Sequence, residues 1–212
     1  MDSKIAEALA AARQVAAQLP ALTQPTEVVA PPPAGRARTL DEAIDQAGVG
    51  VDVWASIDAS GYRINNTIVP SFTGRIKLSE VQFPYMVRFT VGGSTKFVRS
   101  YDGVYEAQSR KPWAGVIAQA QSADPGCKGV YDAAEIPVIL DKDLVVGTQT
   151  YKAGSRIGIT TPVTGYKTFS NWAREARLAF GSDGEVPVTT SVEVKQKPGM
   201  KAWGIPVFST RS

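Results

Sequence analysis

PYMVRFTVGGSTKFVRSY, residues 84–101, is the stretch of this chain that most clearly specifies a fold. Two runs in which apolar residues alternate with others, 84–91 and 94–101, flank the pair Gly92 and Gly93. Glycine readily adopts the positive φ that a tight hairpin turn requires. The stretch therefore predicts an antiparallel β-hairpin.

A turn of even length sorts the side chains of this hairpin onto two faces. One face is apolar and suited to packing on a core, and the other holds Met86, Arg88, Thr90, Phe97, Arg99 and Tyr101. Two arginines among aromatic rings suit a flexible nucleic-acid strand, because cations bind phosphates and flat rings stack on bases. The alternative is a sheet covered on both faces, with its arginines paired to carboxylates.

Strand patterns continue on both sides of this hairpin. They occur at residues 49–58, 62–68, 75–81 and 136–140. A second hairpin is predicted near the C-terminus, with Pro198 and Gly199 at the centre of its turn and Val192 opposite Ile205. Residues 103–129 carry no clear pattern.

One helix stands out before the second hairpin. An apolar stripe recurs every three or four positions over 168–180, formed by Phe169, Trp172, Ala176 and Phe180. These elements together predict a single α+β domain over residues 39–212. We expect a mainly antiparallel sheet in an OB-like or open arrangement, with this helix as the prominent one.

The first 38 residues differ in character from this domain. Residues 1–22 are rich in alanine and carry an apolar stripe at helical spacing, which predicts a separate amphipathic helix. Residues 23–38 are rich in proline and predict an exposed, semi-rigid linker. A helix on such a tether is suited to finding a groove on another protein, so we expect it to recruit a partner.

The composition excludes several common classes of enzyme active site. The chain has no histidine and one cysteine, which excludes Ser-His-Asp and Cys-His relays, His/Cys zinc sites and an internal disulfide. Phosphate-binding P-loop and dinucleotide motifs do not occur, so we expect no cofactor and no catalysis. The remaining alternative is a magnesium site of oxygen ligands, as a metal-dependent nuclease would need, formed by Asp132, Glu135, Asp141 and Asp143.

Charge and hydropathy bear on partners and location. The 23 Lys and Arg outnumber the 20 Asp and Glu, and the surplus lies in residues 144–212, which carry nine basic and four acidic residues. No apolar run approaches the length of a membrane span, so a soluble cytoplasmic protein is expected, in the host cytoplasm if the source is viral.

Further candidate contacts to nucleic acid follow from basic residues near aromatic rings, and they are Arg110, Lys111, Trp113, Lys195, Lys197 and Lys201.

The C-terminal hairpin VEVKQKPGMKAWGIPVF, residues 192–208, resembles a segment near the end of bacteriophage accessory proteins of DNA metabolism, some of which bind single strands. The resemblance covers the chain from Thr168 onward. It implies single-stranded DNA as a partner. The chain departs from ordinary single-strand-binding proteins in ending Ser-Thr-Arg-Ser instead of in an acidic tail, which leaves recruitment of a polymerase or replication protein to the N-terminal helix.

The sequence thus favours sequence-tolerant binding of single-stranded DNA in phage or plasmid replication, recombination or transcription. Lysine and arginine would neutralise phosphates while Phe97, Tyr101 and Trp113 stack on bases. The alternative is a viral structural or assembly protein whose extended N-terminal arm swaps between copies in a homo-oligomer. Light scattering separates the two, because only the alternative predicts large regular assemblies without nucleic acid.

Overall fold

An eight-stranded sheet forms the body of the protein in the computed structural model, which describes residues 50–211. By its contacts the chain divides into two units, Met1–Arg38 and Thr39–Ser212, and the described residues all belong to the second. The helix predicted over residues 1–22 and the linker predicted over 23–38 lie outside the described residues.

Thirteen strands and two α-helices occur within residues 50–211. The strands are β1 (Val53–Asp58), β2 (Gly61–Ile64), β3 (Thr67–Val69), β4 (Ser71–Lys77), β5 (Tyr85–Val91), β6 (Ser94–Ser100), β7 (Val130–Asp132), β8 (Glu135–Leu140), β9 (Leu144–Val146), β10 (Gln149–Tyr151), β11 (Arg156–Thr160), β12 (Glu185–Lys195) and β13 (Trp203–Thr210). The helices are α1 (Trp113–Ala123) and α2 (Val163–Phe180), and a short 3-10 helix spans Leu78–Glu80. Neither α1 nor α2 has the length and apolarity that a membrane crossing requires.

The main sheet has the order β13-β12-β4-β8-β11-β1-β2-β3. β1 and β11 run parallel, with Val53 opposite Ile157, whereas the other neighbours are antiparallel. The α+β character is therefore confirmed, but the predicted mainly antiparallel sheet is corrected to a mixed one. The parallel pair joins strands about a hundred residues apart, so no local turn pattern could have indicated it.

The main sheet curls until its two halves meet. The hydroxyl of Tyr62 in β2 lies within hydrogen-bond reach of the Thr190 hydroxyl and donates to the Ser191 carbonyl oxygen at 3.0 Å, both in β12. On β13, Gly204 allows a close approach, since a Cβ there would lie 2.4 Å from the Asp58 carbonyl oxygen. The curl encloses the core, and Trp54 and Ser56 of β1 are exposed on its outer side.

Helix α2 covers part of this core and is longer than predicted. It begins at Val163, after Pro162, whereas the sequence indicated only 168–180. Phe169 and Ala176 are buried as expected, and the Phe169 ring centroid lies 5.3 Å from that of Phe208 in β13. Phe180 is 40% exposed, so the predicted stripe ends before the last turn of the helix.

A second, three-stranded sheet has the order β6-β5-β7. Its β5–β6 hairpin is the one predicted at 84–101, with a two-residue turn in which Gly92 and Gly93 have φ of 58° and 78°. The apolar face of this sheet packs on α1, where Val87, Trp113 and Ala120 form a small core of their own. Helix α1 was not predicted, because its sequence WAGVIAQAQSA has only a weak apolar stripe.

The C-terminal hairpin keeps its predicted turn but not its predicted register. The Met200 amide donates to the Lys197 carbonyl oxygen at 3.0 Å, which places Pro198 and Gly199 at the turn centre. The paired strands nevertheless match Val192 with Pro206 instead of Ile205. An extra residue between the turn and β13 slips the register by one, as a bulge does.

Closure of the curled sheet predicts a specific sensitivity to side-chain size. Gly204→Ala should lower the free energy of unfolding by about 1–3 kcal/mol, because the new methyl group has no space against Asp58 and Val192. Gly115→Ala in α1 is the matched control, since nothing lies within 4 Å of its Cβ position, and it should raise stability by up to about 1 kcal/mol. Urea denaturation measures both, and equal stabilities for the two variants would contradict the close approach.

Candidate nucleic-acid interface

The outer face of the three-stranded sheet, opposite α1, carries the residues that the hairpin register predicted to lie together. Arg88 on β5 stands directly across from Phe97 on β6. The next row contains Arg99, Met86 and Tyr131, one from each strand. Arg88 is exposed and Phe97 is 56% exposed, so a cation and a flat ring adjoin each other on a solvent-facing surface.

Arg99 and Tyr101 have a different environment. Arg99 forms an ion pair with the buried carboxylate of Glu135, and the Tyr101 hydroxyl donates to the same carboxylate at 2.7 Å. Burial, together with Glu135, raises the pKa of Tyr101 to about 12, so this phenol stays protonated and keeps donating. For Arg99 the pairing is the arrangement that the sequence left as the alternative. Both residues link the small sheet to the main one through Glu135, so they have a structural role that Arg88 and Phe97 do not have.

A groove of ≈ 400 Å³ opens where this outer face meets the main sheet. We call it the aromatic groove, and its lining includes Trp54, Met86, Phe97, Arg99, Tyr131 and Thr161. The Arg99 guanidinium carbon lies 5.8 Å from the centroid of the Trp54 ring, within cation–π range. Arg99 therefore contributes to the groove as part of its wall.

Trp54 is the functional candidate that sequence reasoning missed. It is 38% exposed on the outer side of β1, and its ring lies over Gly158 of β11, where a Cβ would come within 2.6 Å of Cε3. The available signal was the alternation of β1, in which Trp54 falls in phase with Asp52 and Ser56 and not with the apolar residues. An indole in the polar phase of a strand indicates a ring on the side of the sheet that does not face the core.

The loop candidates Arg110, Lys111 and Trp113 do not join this face. Trp113 is only 5% exposed and packs beneath the sheet on Val87, so it offers no surface for stacking. Arg110 lies 5.3 Å from the Tyr105 ring centroid, and Lys111 is exposed beside it. These two cations and Tyr105 form a separate patch, away from the lining of the aromatic groove.

The C-terminal candidates form another separate group. Lys195 pairs with Glu193 on its own strand, which partly neutralises it. Lys197 and Lys201 are exposed around the turn of the β12–β13 hairpin. None of the three lines the aromatic groove, so they add positive charge at the hairpin tip and not at the predicted face.

The carboxylate site that the sequence left as an alternative does not assemble. Glu135 binds Arg99 and Tyr101, Asp141 binds Arg75 and Arg211, and Asp143 binds Lys152. Within residues 50–211 no group of three or more His, Cys, Asp or Glu is arranged to hold a metal ion. The magnesium site considered from the sequence therefore has no support in the described part of the chain.

The two arginines of the outer face should differ sharply in their effect on stability. Arg99→Met keeps the aliphatic stem but leaves the buried Glu135 without its cation, so the free energy of unfolding should fall by about 3 kcal/mol. Arg88→Met removes an exposed cation and should change it by no more than about 0.5 kcal/mol. Urea titration of both variants provides the comparison. Equal losses of stability in the two variants would contradict the conclusion that Arg99 is structural and Arg88 is accessible.

Comparisons with protein-family models, with curated proteins and with solved structures found no match for this chain. The site is therefore defined by its own geometry. Arg88 and Phe97 are exposed side by side on the three-stranded sheet, next to a groove that is lined by Trp54 of the main sheet.

Proposed function

We propose that this protein binds single-stranded DNA without sequence preference, through the outer face of the three-stranded sheet and the aromatic groove. The observation that carries the proposal is the pair Arg88 and Phe97, which are directly opposite in the hairpin and both exposed. A cation beside a stacking ring matches the repeating unit of a single strand, in which each base lies next to a phosphate.

The absence of an ion pair between Arg88 and any described residue supports this role. Of the nine arginines within residues 50–211, five form ion pairs with carboxylates, and they are Arg63, Arg75, Arg99, Arg156 and Arg211. Arg88, Arg110, Arg174 and Arg177 form none with any residue in that range, and of these four Arg88 is the one that lies opposite Phe97. An exposed guanidinium that no carboxylate neutralises is available to a phosphate, which it can bind through two parallel hydrogen bonds.

The exposed rings account for a preference for single strands over duplex. Phe97 and Trp54 lie beside one groove, where unpaired bases can reach them. In a duplex the base faces are already stacked on one another and are not accessible to these rings. Stacking contributes about 1–3 kcal/mol per base, so two rings account for a clear preference even where salt screens the cations.

We also propose an architecture, a cellular process and a protein partner. An OB-like closure of the curled main sheet is supported by the contact between its two halves at Tyr62 and Thr190. A role in phage or plasmid replication, recombination or transcription is proposed because the C-terminal hairpin resembles a segment of bacteriophage accessory proteins of DNA metabolism. Recruitment of a polymerase or replication protein is proposed for residues 1–22, on the strength of their amphipathic pattern.

Replacing the exposed ring tests the stacking part of this function. Phe97→Ala should weaken binding of a fluorescein-labelled oligo(dT) by about tenfold or more, because one base loses its partner. Phe83→Ala is the matched control, since Phe83 is also about half exposed but lies beside α2. Fluorescence anisotropy measures both, and equal affinities for the two variants would remove Phe97 from the interface.

Replacing the exposed cation tests the phosphate part. Arg88→Ala should make the slope of log affinity against log salt less steep by about 0.7, the value for one phosphate contact to a single strand. Lys142→Ala, an exposed lysine in the β8–β9 turn, should leave the slope unchanged. An unchanged slope for Arg88→Ala, or tighter binding of duplex than of oligo(dT) by the wild-type protein, would contradict the proposed function.

A further inference from the structure

A second groove of ≈ 440 Å³ adjoins the aromatic groove. We call it the cationic groove, and its lining includes Arg88, Thr90, Asp124, Lys128, Tyr131 and Thr164. Tyr131 lines both grooves. Arg88 also stands opposite Phe97, which lines the aromatic groove, so the two grooves adjoin at Tyr131 and again between Arg88 and Phe97.

The loop that carries Lys128 is held in place by its neighbours. The Asp124 carboxylate accepts the Thr90 amide at 2.7 Å and the Gly126 amide at 2.8 Å, which ties the loop to β5. The Cys127 side chain packs against the small core of Val87 and α1. Lys128 follows this anchored cysteine directly, so its backbone has a defined position at the groove although its side chain is exposed.

The groove has an excess of available positive charge. Neither Arg88 nor Lys128 forms an ion pair with any residue from 50 to 211, whereas the carboxylate in the wall, Asp124, already accepts two amide hydrogen bonds. Burial raises the pKa of Tyr131, against the opposing effect of Arg88, so its phenol is a neutral hydrogen-bond donor at physiological pH. These groups together offer two cations and a hydroxyl donor, which suits a phosphate group.

We propose that the cationic groove is a phosphate subsite in which Arg88 and Lys128 bind one phosphate of a strand whose adjacent base occupies the aromatic groove. The assignment rests on the proposed function and deepens it, because it defines the bound unit as one base with its neighbouring phosphate. Lys128 is the new residue. It lies within residues 103–129, where the sequence carries no clear pattern, so nothing in the sequence linked it to Arg88.

A double-mutant cycle tests whether the two cations share one phosphate. Lys128→Ala and Arg88→Ala should each weaken binding of oligo(dT) by about five- to tenfold. The double variant should lose less than the product of the two single losses, because a phosphate released by one cation no longer interacts fully with the other. Lys142→Ala is again the control and should bind as the wild type does.

A second measurement tests the phosphate subsite separately from single-strand binding. Thymidine 5′-monophosphate should shift the backbone amide NMR signals of Gly126 and Gly129 in the wild-type protein, and thymidine without phosphate should not. Lys128→Ala should abolish the shifts. If oligo(dT) binds but Lys128→Ala behaves as Lys142→Ala does, the subsite is overturned while single-strand binding stands.

If oligo(dT) does not bind the wild-type protein, the proposed function is overturned and the nucleotide measurement decides the subsite alone. Shifts at Gly126 and Gly129 that require the phosphate and Lys128 would then support it. The absence of such shifts would overturn it.

Discussion

The buried carboxylate of Glu135 is the constraint on which the candidate site depends. It lies at the start of β8 in the main sheet, where it pairs with Arg99 of β6 and accepts a hydrogen bond from the hydroxyl of Tyr101, which follows β6. A buried charge is tolerated only when partners replace the water it has lost, so this carboxylate requires the β6 strand to stay where it is. The aromatic groove is the space left between two sheets joined in this way.

On one face of the β5–β6 hairpin, some residues therefore stabilise the fold and others are exposed and available for binding. Arg99 is fixed between Glu135 and the Trp54 ring, and it extends the wall of the groove. One row along, Arg88 and Phe97 have no such partner in the described part of the chain and face solvent. Replacing Arg99 should therefore lower the stability of the fold, whereas replacing Arg88 or Phe97 should change only the binding surface.

Local patterns predicted the parts of this structure that local physics determines. Gly92 and Gly93 fixed a two-residue turn, and that turn alone determined which side chains share the face of Arg88 and Phe97. The turn at Pro198 and Gly199 was also correct, but an extra residue beyond it shifted the register. A turn motif determines pairing only as far as the strands continue without a bulge.

Features that depend on distant contacts were not predictable in the same way. The parallel pairing of β1 with β11, the ion pair of Glu135 with Arg99 and the presence of Lys128 and Arg88 in one groove each join segments far apart in the chain or on different elements.

Photo-crosslinking of oligo(dT) containing 5-bromodeoxyuridine, with mapping of the modified peptides, tests the central claim most directly. The account predicts crosslinks at Trp54, Phe97 or Tyr131, and crosslinks confined to the Arg110 loop or the β12–β13 turn would contradict it.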